Sequence, residues 1–113
     1  MSRRSWQAGA AALIAVPLTL VFGVPAHADD CLNGQVCVWS QTDYNGEMQV
    51  IPAQIGECQE LSLSQGALSG KNRSERRSYL LFSDTNCLVL VGTLLTNQDD
   101  PDFGTAVHSV FGT

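Results

Sequence analysis

The 113-residue chain is short of positive charge and nearly without histidine. Six Lys and Arg stand against eleven Asp and Glu, and two of the six bases, Arg3 and Arg4, lie at the extreme N-terminal end. The other four, Lys71, Arg73, Arg76 and Arg77, fall within one short segment, so residues 29–113 carry four bases against eleven acids, a net charge of −7. An acidic surface of this kind argues against nucleic acid or an anionic membrane as partner. Of the two histidines, only His108 lies beyond residue 28, and no residue set around it suggests an activated nucleophile or an acid/base pair. The chain is therefore not expected to be an enzyme. No C-x-x-C spacing occurs among its four cysteines, which argues against a zinc site. Sustained helical periodicity is also lacking, and after the first apolar run no other approaches membrane-spanning length.

What is present begins with an export signal. Arg3 and Arg4 supply a positive end, an apolar core runs from Ala8 to Val24, and "AHA" at Ala26 to Ala28 offers the small residues that a signal peptidase needs. "SRRSW" is a partial twin-arginine match with Trp6 in place of the usual Phe, so the general secretion route is favoured over the twin-arginine route. Residues 1–28 are expected to be removed. Residues 29–113 are then one small exported domain, with no membrane association after processing.

An even number of cysteines in a short exported chain reads as a disulfide framework, and four cysteines allow three connectivities. The turn-forming Asn33-Gly34 between Cys31 and Cys37 can reverse the chain and bring those sulfurs together. The expected bridges are therefore Cys31–Cys37 and Cys58–Cys87.

Short runs rich in β-branched and aromatic residues predict strands over residues 35–40, 47–52, 59–63, 77–83, 88–95 and 105–111. Turn signals separate them: Asn33-Gly34, Asn45-Gly46, Gly56, "SQGALSGKN" and "NQDDPDFG". Two blocks, "VCVWSQTDYNG" and "YLLFSDTNCLV", align so that Trp39 falls on Phe82, Ser40 on Ser83, Thr42 on Thr85 and Tyr44 on Cys87. A unit of about 40 residues occurring twice predicts two Greek-key motifs closing into one sandwich.

The first block, "VWSQTDYNGEMQVIP", resembles the βγ-crystallin Greek-key signature. In that resemblance Gly46 takes the unusual backbone angle of the folded hairpin and Tyr44 packs over it. "NRS" at Asn72 to Ser74 and "HSV" at His108 to Val110 resemble the serine-bearing segments that close each motif. The cysteine framework, "CLNGQVCVW" with Cys58 and Cys87, together with "QVIPA", resembles the secreted bacterial peptidase-inhibitor family of the Streptomyces metalloproteinase inhibitor type. The implied fold is an all-β, disulfide-stabilised Greek-key β-sandwich of βγ-crystallin type. The implied partner is an extracellular protease, with the inhibitor acting as a monomer.

The resemblance also places a protease-facing bond directly after a cysteine, which here is Cys87–Leu88, with Cys87, Leu88 and Val89 as the reactive-site candidates. A large apolar residue after that bond suits a thermolysin-like metalloprotease. This chain lacks the second cysteine that closes a tight loop in the type inhibitor; Val91 and Gly92 follow instead. Where the first motif has Tyr44-Asn45-Gly46, the second has Cys87-Leu88-Val89, so the second turn is expected to take a more extended path. A continuous apolar run in a sandwich is ordinarily a strand buried on both faces, and that remains the alternative for residues 88–91.

Calcium binding at "GKNRSERRS" is not expected, since Lys71 stands where an oxygen ligand is needed and arginines surround it; no metal and no cofactor are expected elsewhere. The basic segment reads as a solvated loop or, functionally, as a dock for an acidic partner. Asn72-Arg73-Ser74 is a glycosylation sequon. The expected function is inhibition of an extracellular peptidase. The alternative is a non-inhibitory crystallin-like module directed at carbohydrate or the cell envelope, or one akin to killer toxins. An exposed loop at residues 87–91 favours the first, a buried strand the second.

Overall fold

The strand-forming runs pair into two antiparallel four-stranded sheets in a computed structural model that describes residues 31–113. The leader expected over residues 1–28 lies outside the described residues. The strands are β1 (Val36–Trp39), β2 (Met48–Ile51), β3 (Cys58–Glu60), β4 (Ser69–Asn72), β5 (Tyr79–Phe82), β6 (Leu90–Leu94), β7 (Asp99–Asp100) and β8 (Ser109–Gly112). One sheet has the order β2-β1-β4-β7, the other β3-β8-β5-β6. Each run of four strands thus places its first, second and fourth strands in one sheet and sends its third to the edge of the other. This is a pair of Greek keys, each completing the other's sheet, and the fold is an all-β sandwich of βγ-crystallin type.

The division of labour along each strand follows from the two-residue period. Val36 and Val38 of β1 enter the inter-sheet core with Ile51, Tyr79, Leu81, Leu94, Val107 and Val110. Cys37 and Trp39 point to the other face, where they pack with Cys31, Tyr44 and Met48. Both faces of β1 are therefore covered, which is why its sequence is apolar throughout. The two motifs meet where Ala67 and Val107 exchange both backbone hydrogen bonds, Ala67 N to Val107 O at 2.8 Å and Val107 N to Ala67 O at 2.9 Å.

One hydroxyl in each motif ties the folded turn to the closing strand. Ser69 Oγ accepts from Tyr44 N at 3.0 Å and donates to Gln41 O at 2.6 Å. Ser109 Oγ accepts from Cys87 N at 3.0 Å and donates to Asp84 O at 2.6 Å. The two networks superimpose residue for residue under the sequence repeat, Gln41 on Asp84 and Tyr44 on Cys87. The "HSV" segment therefore supplies the closing serine of the second motif, but the first motif uses Ser69 rather than the Ser74 of "NRS". Ser74 instead accepts from Arg76 N and Arg77 N, capping a local turn.

Two segments read as turns contain strands. "SQGALSGKN" holds β4, fully buried although it has no β-branched residue, because its backbone fills the ladder between β1 and β7. "NQDDPDFG" holds β7, whose Asp99 stands opposite Lys71. The solvated-loop reading consequently fails for Lys71, which is 8% exposed and places Nζ 4.5 Å from the Tyr44 ring centroid. Asn72 is fully buried: Nδ2 donates to Arg77 O and Leu94 O, and Oδ1 accepts from Ser74 N. The folded domain leaves no room for a glycan on that sequon.

Each serine bridge should be individually measurable. Ser69→Ala and Ser109→Ala each strand one backbone N–H and one carbonyl, and each is expected to lower unfolding free energy by about 1–3 kcal/mol in chemical denaturation. An unchanged midpoint in either variant would contradict the paired role assigned to these hydroxyls.

Candidate functional site

The two aligned turns differ in length by one residue. In the first motif Ser40 N donates to Glu47 O at 2.9 Å, and Ser40 Oγ accepts from Glu47 N at 2.9 Å. In the second, Ser83 N donates to Val89 O at 3.0 Å. Counting from the matched pair Tyr44 and Cys87, the second turn reaches its strand one residue sooner, with Leu88 alone where the first has Asn45-Gly46. Gly46 has φ +85°, and a Cβ there would collide with Ser40 Oγ and lie 3.0 Å from Gln41 Cγ. No other residue type fits that turn.

The second turn is built by different means. The Asp84 carboxylate accepts four contacts from the backbone: Leu88 N at 3.0 Å and Val89 N at 2.9 Å on Oδ1, and Asn86 N at 3.0 Å and Leu88 N at 3.2 Å on Oδ2. Cys87 is left-handed at φ 58°, close to the 61° of its counterpart Tyr44, so the chain bends at Cys87 and is not extended there as the missing glycine suggested. A disulfide joins Cys87 to Cys58 on β3, while the other joins Cys31 to Cys37, each with a Cα–Cα distance of 5.9 Å. Gln35 N donates to Leu32 O across Asn33-Gly34, closing the smaller loop.

This framework holds apolar side chains in water. Leu88 is 78% exposed, Val89 53% and Leu90 57%, so residues 88–90 are not a strand buried on both faces. Contiguous apolar exposure of this kind is a common feature of interaction surfaces and makes residues 88–90 the candidate site. It continues into β6, an edge strand of its sheet with one side unpaired. A one-residue register shift between Leu81 and Phe82 against β6 brings Leu90, not Val91, opposite Phe82.

Elsewhere, Tyr44 packs edge-on against Trp39 with ring centroids 5.4 Å apart. Burial first, and then the carboxylates of Asp99, Asp100 and Asp43, push the Tyr44 phenol up from its ordinary value. Arg73, Arg76 and Arg77 line an open polar depression of about 490 Å³ together with Glu75 and Asp99. Lys71 is not among them, and the mixed charges do not make a single-sign dock for an acidic partner. His108 Nδ1 lies 2.9 Å from Ser83 O, a carbonyl that can only accept, so the ring is engaged at the base of the exposed turn. Among the described residues no group of three or more His, Cys, Asp or Glu could hold a metal ion, and no helix is long and apolar enough to cross a membrane.

Asp84 is the residue that sequence reasoning passed over. Its signal was local: "SDTN" puts an Asp two residues before an Asn in a turn, the pattern by which Asp side chains cap the following amides. Those amides hold the Asp84 carboxyl below the ordinary aspartate value, the Val89 N–H contributing most. With a depressed value, the bonds are complete above the ordinary carboxylate range and are lost as pH falls through the lower, folded value. The amide resonances of Leu88 and Val89 should therefore stay fixed through the ordinary aspartate range and titrate together only below it. A shared midpoint at or above the ordinary aspartate value would contradict this geometry.

The comparisons with known proteins agree with the architecture. The crystal structure of IPSE/alpha-1 from Schistosoma mansoni eggs superimposes with a TM-score of 0.53 at 19% identity, covering 72% of this chain and 86% of that one, a likeness of fold alone. No curated protein matches the sequence. The model of peptidase inhibitor family I36 matches residues 24–93, which include the first Greek key, all four cysteines, Asp84 and the exposed turn. The chain belongs to peptidase inhibitor family I36.

Proposed function

We propose that the protein is exported, loses its leader after Ala28 and blocks a thermolysin-like metalloprotease through the turn at Cys87-Leu88-Val89. The observation that carries this reading is the 78% exposure of Leu88 on a backbone fastened on both sides, by the Cys58–Cys87 bridge before it and by the Val89 N–H on the Asp84 carboxylate after it. A flexible peptide must lose conformational freedom on entering a protease cleft; a turn already fixed in place loses less, and the difference appears as affinity. Leu88 then fills the pocket that accepts the residue following the cut bond.

The left-handed Cys87 bears on turnover. Proteases bind substrate as an extended strand on both sides of the scissile bond, and here the chain bends immediately before it. The loop offers a side chain to the pocket while withholding the extended approach that rapid cleavage needs. Beyond Leu88, the free side of β6 continues the contact as an edge with unpaired backbone groups. The protein acts as the protease's ligand and not as an enzyme, a reading supported by the family and by cysteines that are all bridged.

Because Leu88 is exposed, its role can be separated from folding. Leu88→Asp should leave the melting temperature within about 4 °C of wild type, since exposed substitutions change stability by about 0.5 kcal/mol or less. The same change should weaken inhibition of a thermolysin-like protease by about 30-fold or more, because a carboxylate must be desolvated without a partner in an apolar pocket. Leu88→Phe should inhibit nearly as well as wild type. A folded Leu88→Asp variant of undiminished potency would remove this residue from the contact.

A further inference from the structure

We infer that Asp84 is the positioning residue of the exposed turn, and that it holds the nitrogen of the Cys87–Leu88 bond in place before and after any cleavage. The inference rests on the proposed reading of that bond as protease-facing. Leu88 N contacts both carboxylate oxygens, at 3.0 Å on Oδ1 and 3.2 Å on Oδ2, and Val89 N adds a third contact at 2.9 Å. Leu88 N is the atom that becomes the leaving amine when the bond is cut. No such device exists in the first motif, where the matched residue is Gln41 and where Ser40 Oγ and Gly46 shape the turn instead.

Hydrolysis adds one water across the Cys87 carbonyl carbon and the Leu88 nitrogen, producing a carboxylate on Cys87 and, with the proton released, an ammonium on Leu88. Neither disulfide spans the cut bond, so the fold holds the two fragments together, with one fastening on each new end. Cys87 remains bonded through its sulfur to Cys58, and its N–H remains on Ser109 Oγ. The Leu88 ammonium stays against Asp84, now as a charge-assisted pair stronger than the neutral amide contact it replaces. Ends held within reach favour the reverse condensation: the Leu88 ammonium gives up a proton, the free amine attacks the Cys87 carboxyl carbon, and one carboxyl oxygen leaves as water with that proton and one more from the nitrogen, a step helped by the proximity of the two ends. Loss of Asp84 frees the amine end alone, while the cysteine end stays tethered.

The test uses the mature protein with Asp84→Ala and Asp84→Asn. Inhibition of a thermolysin-like protease is titrated first with wild type alone, and cleavage at Cys87–Leu88 is followed by mass spectrometry as the appearance of the fragments 29–87 and 88–113, since neither disulfide spans the cut bond. Asp84→Ala should inhibit about tenfold less well and be cut at Cys87–Leu88 at least about tenfold faster, from the loss of hydrogen bonds to three amides. Asp84→Asn, which keeps one acceptor oxygen, should fall between. Equal potency and equal cleavage in folded Asp84→Ala would overturn the role of Asp84 and leave the proposed function standing. Failure of wild type to inhibit would overturn the proposed function, and this inference with it. If Asp84→Ala does not fold, Asp84→Asn decides by the same two readouts. If neither variant folds, Asp84 serves the fold and not the turn, and the inference is overturned.

Discussion

A buried hydroxyl that bonds two backbone groups at once is the constraint on which the rest of the molecule depends. Ser69 and Ser109 each fasten a left-handed residue and the carbonyl three positions before it, at matching distances in the two motifs. Once the serine has fixed that bend, the following chain must climb back to its own strand within two or three residues. In the first motif this is possible because Gly46 adopts φ +85° beneath Ser40. In the second the glycine position is absent, and the chain is held from outside by the Asp84 carboxylate and from behind by the bridge to Cys58. The same bend thus gives a closed, polar turn in one copy and an apolar projection in the other.

The disulfides have unequal consequences. Closing the short loop from Cys31 to Cys37, six residues apart, removes about 2 kcal/mol of unfolded-state freedom, while the bridge spanning the 29 residues from Cys58 to Cys87 removes about 3–4 kcal/mol on the same chain-entropy account. The larger bridge also joins β3, donated by the first motif, to the turn of the second. It therefore stabilises the pairing of the two motifs and the exposed turn with one bond. Asp84 is half-buried, and its carboxylate bonds only backbone amides of its own turn. Its effect is local order in residues 86–89, where it adds to the Cys87 bridge.

Much of this was legible in the sequence where side-chain chemistry and backbone state agree. β1, β2, β5 and β8 carry β-branched and aromatic residues, and the repeat of Trp39 on Phe82 and Tyr44 on Cys87 matches the equivalence that the serine bridges display. β4 was hidden because Ser69-Gly70-Lys71-Asn72 has neither the composition nor the alternation of a strand; its placement comes from the ladders on either side. For the same reason Lys71 and Asn72 read as surface residues, when one packs against the Tyr44 ring and the other bonds three backbone groups. The run from Leu88 to Val91 was ambiguous in composition alone. What decides it is a carboxylate and a left-handed cysteine, and neither leaves a hydrophobic pattern to read.

The central claim is that the two motifs share one backbone device and that only the second, shortened copy meets the protease. Hydrogen–deuterium exchange of residues 29–113, alone and with an equimolar thermolysin-like metalloprotease, tests this with the first motif as internal control. The account predicts new protection across residues 86–92 and unchanged exchange across residues 41–47. Equal protection of both turns, protection confined to residues 72–77, or no protection anywhere would contradict it.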